Sequence, residues 1–425
     1  MSTSTPASPA APAVSARART ALGKTFQSLS TYNFRLFFLG QLISNTGNQL
    51  TNVALILFVL KLGHSGLAVG ALSACQFGPL VALSAWAGAV ADRTDKRRAL
   101  LVTQSLEMAQ SVALAVLAFQ PHPPLVLLYA IALLGGVLLA FDNPLRRSFV
   151  PEMVSKEDLP NAVVLYSTVV ALSQVLGPAL AGALITTVGF GWCFALDAVT
   201  YLAVITCLVM MRERELYRQP PRARTGREVR EGLRYVASVP RLWISFGMFA
   251  LIGVFSFNLR VALPLLVTGP LHGSAVAYTM LCATMSSGAV IGTLVVAHRR
   301  LVALRHAVLG ALALGCAMLF LSFMPSVPAA VPAAFFVGGA TMVYFTASTT
   351  LAQVDTRRDM HGRVLALQTA LIGGTAIVGG PVVGRLADLA GGRAPIAIGG
   401  VVCLAAAAFG ELGRRRFGQS DSAPS

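Results

Sequence analysis

The sequence predicts an all-α membrane protein with twelve transmembrane helices in two pseudo-symmetric six-helix bundles. Three observations carry this. The 425-residue chain is 55% hydrophobic and only 12% charged, with a mean hydropathy of +0.70, whereas a soluble domain carries about 25% charged residues. Apolar runs near the ~20 residues that cross a bilayer as a helix follow one another, and charge is gathered in short blocks between them. Two motifs also recur. Gly177-Pro178-Ala179-Leu180-Ala181-Gly182 returns as Gly380-Pro381-Val382-Val383-Gly384-Arg385, and the stretch opening at Gly88 returns in worn form at Gly292. The two spacings differ by one residue, which argues for duplicated halves.

Taken in order, residues 1–30 are rich in Ser, Ala, Pro and Thr and read as a disordered cytoplasmic tail. The first bundle, 31–211, holds spans at 34–60, 67–91, 99–119, 124–142, 161–187 and 191–211. Residues 212–242 form a charged cytoplasmic linker. Its Gln219-Pro220-Pro221 marks a flexible link, and Val229, Leu233 and Val236 share one face of a short helix expected along the inner membrane surface. The second bundle, 243–411, holds spans at 243–268, 275–297, 307–324, 329–352, 364–388 and 394–411. A cytoplasmic tail, 412–425, follows.

Loop charge sets the topology. The connections near 120–123, 187–190 and 325–328 carry no Lys or Arg, while Arg93 to Arg98, Arg146 and Arg147, Arg299 to Arg305, and Arg357 to Arg363 lie in the intervening ones. The basic loops and both termini are therefore expected in the cytoplasm. The net charge of +16 is spread over alternate loops, not gathered on one face. It reads as topology and excludes a nucleic-acid partner. The six cysteines show no metal-ligand or disulfide spacing, and neither a nucleotide-binding loop nor a catalytic elbow is present. No cofactor, metal or enzymatic activity is expected.

The loop Gly88-Ala-Val-Ala-Asp92-Arg93-Thr-Asp95-Lys96-Arg97-Arg98 joins two spans with six ionisable residues among its last seven. Asp92 is placed to accept hydrogen bonds from a neighbouring helix N-terminus. The order Gly-x-x-x-Asp-Arg-x-x-basic-basic resembles the signature loop between the second and third helices of the major facilitator superfamily, which usually has Gly where this chain has Asp95. Gly177-Pro178 to Gly182 is similar to that superfamily's antiporter motif, in which proline bends the helix and small residues allow close packing. Asn33 to Ser44, Phe141 to Glu152, Gly191 to Phe194 and Phe257 to Pro264 resemble its enterobactin-exporter and macrolide-efflux branch, over about residues 30 to 410.

The resemblance implies a secondary transporter of the bacterial inner membrane that exports small molecules by alternating access, coupled to protons, with a monomer in the bilayer as the working unit. The other reading is a proton-coupled importer of a metabolite. It further implies a charge relay at the cytoplasmic face, with Asp92 and Lys96, beside Gly88, Arg93 and Arg97, facing Asp142 at the inner end of the fourth helix.

The residues add candidates of their own. Gln41, Asn45, Asn48, Gln49 and Asn52 recur at spacings of three and four and share a helix face. Amides facing lipid cost several kcal/mol each, so this face is expected on a wet cavity or another helix. An amide at Asn48 cannot titrate. Glu107 lies well inside the third span, where an acid must face protein or water, and is the candidate for proton coupling. Arg260 is expected to meet an anionic substrate or a carboxylate, and Asp197 to be structural. Asn258 and Tyr344 complete the expected substrate cavity.

Overall fold

The computed structural model describes residues 27–217, 228–299, 303–357 and 360–417. Residues 1–26, including most of the expected tail, and Gln219-Pro220-Pro221 lie outside them. Gln27–Ser30, inside that expected tail, instead forms a 3-10 turn. Ser28 is buried, its amide donating to Asn161 Oδ1 at 3.1 Å and its hydroxyl to the Asp158 carbonyl at 3.0 Å.

The first half consists of α1 (Tyr32–Gly63), α2 (Gly66–Arg93), α3 (Lys96–Ala118), α4 (Leu125–Met153), α5 (Leu159–Thr187) and α6 (Phe190–Met210). A linker helix, α7 (Glu228–Ser238), leads to the second half. There α8 (Pro240–Ser256) and α9 (Leu259–Thr268) make one broken span, followed by α10 (Ala275–Arg299), α11 (Leu304–Ser322), α12 (Val327–Val354), α13 (His361–Ala390) and α14 (Ala394–Phe417). Among the described residues, eleven segments are long and apolar enough to cross a membrane by composition. The twelfth, α1, owes its lower hydropathy to the amide face.

Packing repeats between the halves. α2 packs on α4 as α10 packs on α12, α3 on α6 as α11 on α14, and α1 on α6 as α8 on α14. Small residues permit the approach. A Cβ at Gly47 of α1 would meet Thr200 and Asp197 of α6, and one at Gly292 of α10 would meet the Gly339 carbonyl of α12.

The seventh span breaks at Phe257, and Asn258 explains how a break survives there. Carbonyls freed at a helix end need donors, more so away from water. The Asn258 amide supplies them, donating to the carbonyls of Gly253 (3.3 Å), Val254 (2.8 Å) and, in α13, Thr375 (3.0 Å).

Two main crossings join the halves, α2 with α13 and α5 with α10, and α9 adds smaller contacts with α1 and α2. Both lie at the face away from the basic loops. Gly66 and Gly70 pack on the carbonyls of Gly384 and Gly380, Gly373 on Val81, and Gly182 on Thr279. Past Val81, Trp86 of α2 is 60% exposed, while Ala87 and Ala91 stay buried. Among the described residues, the halves thus meet at one face and are parted at the other. Gly70→Leu is expected to prop the closed face apart, because overpacking costs about 1–3 kcal/mol. A cysteine replacing Ser73, which lies on Gly380, should then react faster with a membrane-impermeant thiol reagent. An unchanged rate would refute the contact.

α7 is the short helix expected in the linker. It packs on the second half of the protein, which the sequence did not indicate. Val236 is buried with Leu242, Phe246, Ala352, Val364 and Leu367. Tyr235 Oη accepts from the Arg357 amide at 3.1 Å, and Glu231 pairs with Arg363 at 2.8 Å. Leu233 stays exposed, and the side chain of Val229 lies outside the described ones. Periodicity finds an apolar face but not what covers it.

Candidate transport site

The fourth helix continues to Met153, eleven residues past the expected end of its span at residue 142. Pro144 and Pro151 sit within it, and Arg146 and Arg147 lie on the helix, not in a loop. Arg146 is the consequential correction. It is buried, one turn after Asp142, and its Nε pairs with the Asp142 carboxylate. A buried arginine without carboxylates would be prohibitively costly. Here it also faces Glu107 of α3 at 3.4 Å, Gln41 Oε1 at 2.6 Å and Asn45 Oδ1 at 3.2 Å, both of α1.

Gln104 closes the cluster, donating to Asp142 at 2.7 Å and to Glu107 at 3.0 Å, and Thr103 donates to Asp142 at 3.3 Å. One arginine thus faces two buried carboxyl groups from α3 and α4, with two amides of α1 on its other side. The charges balance when one carboxyl holds a proton. Gln41 Nε2 and Gln104 Oε1 are buried without a protein partner, so the cluster has polar capacity in reserve.

The α1 face extends the cluster. Asn45 donates to Gln41 Oε1, Asn48 to Tyr201 Oη at 3.2 Å, Asn52 to Asn48 at 2.9 Å, and Gln76 of α2 to Asn52 at 3.3 Å. Gln49 is half-buried against Gly177 of α5, where a Cβ would strike it. The antiporter-like motif therefore divides its tasks. Gly177 seats α5 on the amide face, five residues before Gly182 meets α10 in the other half. Asp197 is fully buried, accepting from Ser111 at 2.8 Å and Thr200 at 3.3 Å.

The basic loop is arranged otherwise than expected. Neither Asp92 nor Lys96 pairs with Asp142. Lys96 pairs with Glu152 at 2.5 Å, near the end of α4. Arg97 pairs with Glu213 and donates to the Leu208 and Val209 carbonyls, at 2.7 and 2.9 Å, at the α6 C-terminus, where a cation suits the helix dipole. Asp95 caps α3, accepting from the Arg98 amide at 3.1 Å, which accounts for an aspartate at that position. Gly88 is buried, Asp92 is half-buried and Arg93 exposed, with no ion pair for either charge among the described residues.

The second half holds no comparable charged cluster among the described residues. Tyr344 is fully buried, stacked on Phe249 beside Phe257 and Phe345, and Asn258 is committed to backbone. Arg260 is exposed and makes no ion pair among the described residues. Sequence reasoning missed Arg146 and Gln104. The available signal was Asp142-x-x-x-Arg146, an ion-pair spacing on one helix face.

A polar, charge-bearing core inside one of two helical bundles that close at one membrane face is the architecture of a membrane transporter. The chain belongs to the transmembrane secretion effector family, whose model matches residues 23–425, within the major facilitator superfamily. It is 31% identical to the staphyloferrin A transporter of Staphylococcus aureus over 41% of this chain and 44% of that one. It is 28% identical to the enterobactin exporter of Citrobacter koseri over 61% and 62%, and 27% identical to that of Salmonella typhi over 79% and 81%. The match thus spans under two thirds of the first two relatives. In fold it resembles a bacterial homolog of the human lysosomal transporter Spinster in an inward-facing, unoccupied conformation, with TM-score 0.71, 16% identity and 93% and 98% of the chains covered. A peptide transporter in complex with sulfate gives TM-score 0.74 at 14% identity over 90% and 94%.

Proposed function

We propose that this transporter exports a siderophore-like or drug-like small molecule from the bacterial cytoplasm by alternating access, driven by proton entry. The carrying observation is the buried Glu107–Asp142–Arg146 cluster against the amide face of α1, with two acids to one base. A proton arriving at the cluster releases Arg146 from one carboxylate, and the two protonation states favour different arrangements of the helices around it. Relatives named as siderophore exporters, and the Gly177-Pro178 motif, support the outward direction. With the basic loops in the cytoplasm, the parted face is the cytoplasmic one. Asn45, Asn48, Gln49 and the unpaired Arg260 are the candidate substrate contacts. Arg260 suits an acidic ligand, because an uncompensated arginine at membrane depth belongs on water. In the outward-facing state Asp92 docks on the N-terminus of α13, with Lys96, Arg97 and Arg93 holding its loop.

The test uses everted membrane vesicles containing the protein, acidified inside. Catecholate and hydroxycarboxylate siderophores and a macrolide are supplied outside. Accumulation that collapses with the pH gradient supports the reading. Accumulation only in right-side-out vesicles would favour the importer, and transport indifferent to the gradient would end proton coupling.

A further inference from the structure

The closed face carries a contact that no part of the signature loop predicts. Asp388, in the last turn of α13, reaches across to the first turn of α2. Its Oδ1 accepts from the Gly66 amide at 2.5 Å and its Oδ2 from the Leu67 amide at 3.0 Å. The first amides of a helix have no intrahelical partner and carry its positive end. Ser65 satisfies one of them locally, accepting from Ala68 at 3.1 Å. Two others take a charged acceptor from the opposite half. Such bonds are stronger than neutral ones, and these exist only while this face is closed. A cleft of about 510 Å³ between the halves, lined by Lys61, His64 and Phe190, opens onto Asp388, so the amides find water when the halves part.

The same chain grammar stands at the other end of the same helix pair. α2 ends in Gly88-x-x-x-Asp92, and α13 ends in Gly384-x-x-x-Asp388. Gly384 lies on the Gly66 carbonyl, where a side chain would hold the helices apart, and Gly88 is buried at the matching step. α2 and α13 run antiparallel, so each aspartate ends one helix near the start of the other. In the present arrangement Asp388 is engaged and Asp92 has no partner among the described residues. Met360, at the N-cap of α13, makes no side-chain cap hydrogen bond.

We propose that Asp388 is the outer gate residue of the transport cycle, capping α2 across the halves to hold the outer face shut, in reciprocity with Asp92 at the inner face. The latch rests on the alternating-access reading but not on any substrate. Breaking one aspartate's contact favours the state held by the other. Asparagine keeps one acceptor but turns the other oxygen into a donor facing an amide N–H, so the ratio of closed to open outer faces should change up to about fivefold, the usual scale of losing one helix cap.

The experiment measures distances between spin labels on the exposed outer loops, at His122→Cys and Ser326→Cys, in full-length protein lacking its native cysteines and held in lipid nanodiscs. The pH is set so that both populations are seen. Asp388→Asn should shift the population to the longer distance, and Asp388→Glu should retain most of the short one. Asp92→Asn should shift it the other way, and the double variant should return towards the starting ratio. Unchanged distances in a folded Asp388→Asn protein would overturn the proposal. So would shifts of the same sign from both single variants, which mark general damage. If Asp388→Asn does not fold, retention of the short distance in Asp388→Glu decides, and its loss counts against the latch. A shift as described in a protein that accumulates no substrate in vesicles would retain the latch and remove the export reading.

Discussion

Arg146→Met is expected to be the most damaging single substitution in the first half. The guanidinium is the only cation among the described residues that touches the carboxyls of Asp142 and Glu107, and it also anchors Gln41 and Asn45 of α1. Removing one partner from a buried ion pair costs about 3–5 kcal/mol, because the remaining charge is left uncompensated. That is a large share of the roughly 5–15 kcal/mol by which proteins are typically stable. The variant should therefore melt well below wild type in detergent and reach the membrane in reduced amount. A second variant separates charge from shape. Combining Arg146→Met with Asp142→Asn and Glu107→Gln leaves no net charge in the cluster, and neighbouring sites of this kind do not add. The triple variant should recover most of the melting temperature while transporting nothing. An Arg146→Met protein as stable as wild type would show that the cluster is hydrated or open, and the reading of a closed two-acid, one-base centre would fall.

The cluster also shows what the amino-acid sequence can carry by itself. Spans, repeats and the amide face follow from local composition and period, and the helices lie close to the expected segments. The exceptions share one cause. Arg146 looks like an inner-loop anchor because Arg-Arg after a proline is a common way for a span to end. What keeps the helix going is a carboxylate four residues earlier and another on α3, and the second of these is a tertiary fact. Lys96 likewise finds Glu152 and not Asp142, because α4 runs three turns further than its hydropathy suggests. Asn258 looks like a cavity amide, but the broken seventh span takes its hydrogen bonds. Asp388 was legible as the end of a Gly-x-x-x-Asp repeat. It passes unnoticed when repeats are sought only in equivalent spans, since it matches the end of the second helix from the end of the eleventh. Polar residues inside a membrane announce that they have partners. Which partners depends on helix packing, which the sequence does not print.

Glu107→Gln is expected to uncouple transport from the pH gradient while leaving the fold in place. Of the two acids, Asp142 has the closer and more numerous partners. It forms an ion pair with Arg146 Nε and accepts from Gln104 at 2.7 Å and Thr103 at 3.3 Å, whereas Glu107 accepts from Gln104 at 3.0 Å and Arg146 at 3.4 Å. The charge count leaves one proton to place, and Glu107 is the natural holder. Glutamine keeps a carbonyl oxygen and adds a donor, so it imitates the protonated acid and cannot change state. Stability should fall little, since the pair that remains, Arg146 with Asp142, is balanced. Uphill accumulation driven by an acidic interior should drop to the level of vesicles without the protein. Downhill exchange of preloaded substrate should persist, because binding does not require the proton to move. Asp142→Asn is the contrasting control. It removes the closer partner of Arg146 and should lower the melting temperature as well as transport. A Glu107→Gln protein that builds the same substrate gradient as wild type would clear Glu107 of the coupling role and transfer the question to Asp142. Loss of both uphill transport and exchange would instead mark Glu107 as part of the substrate contact.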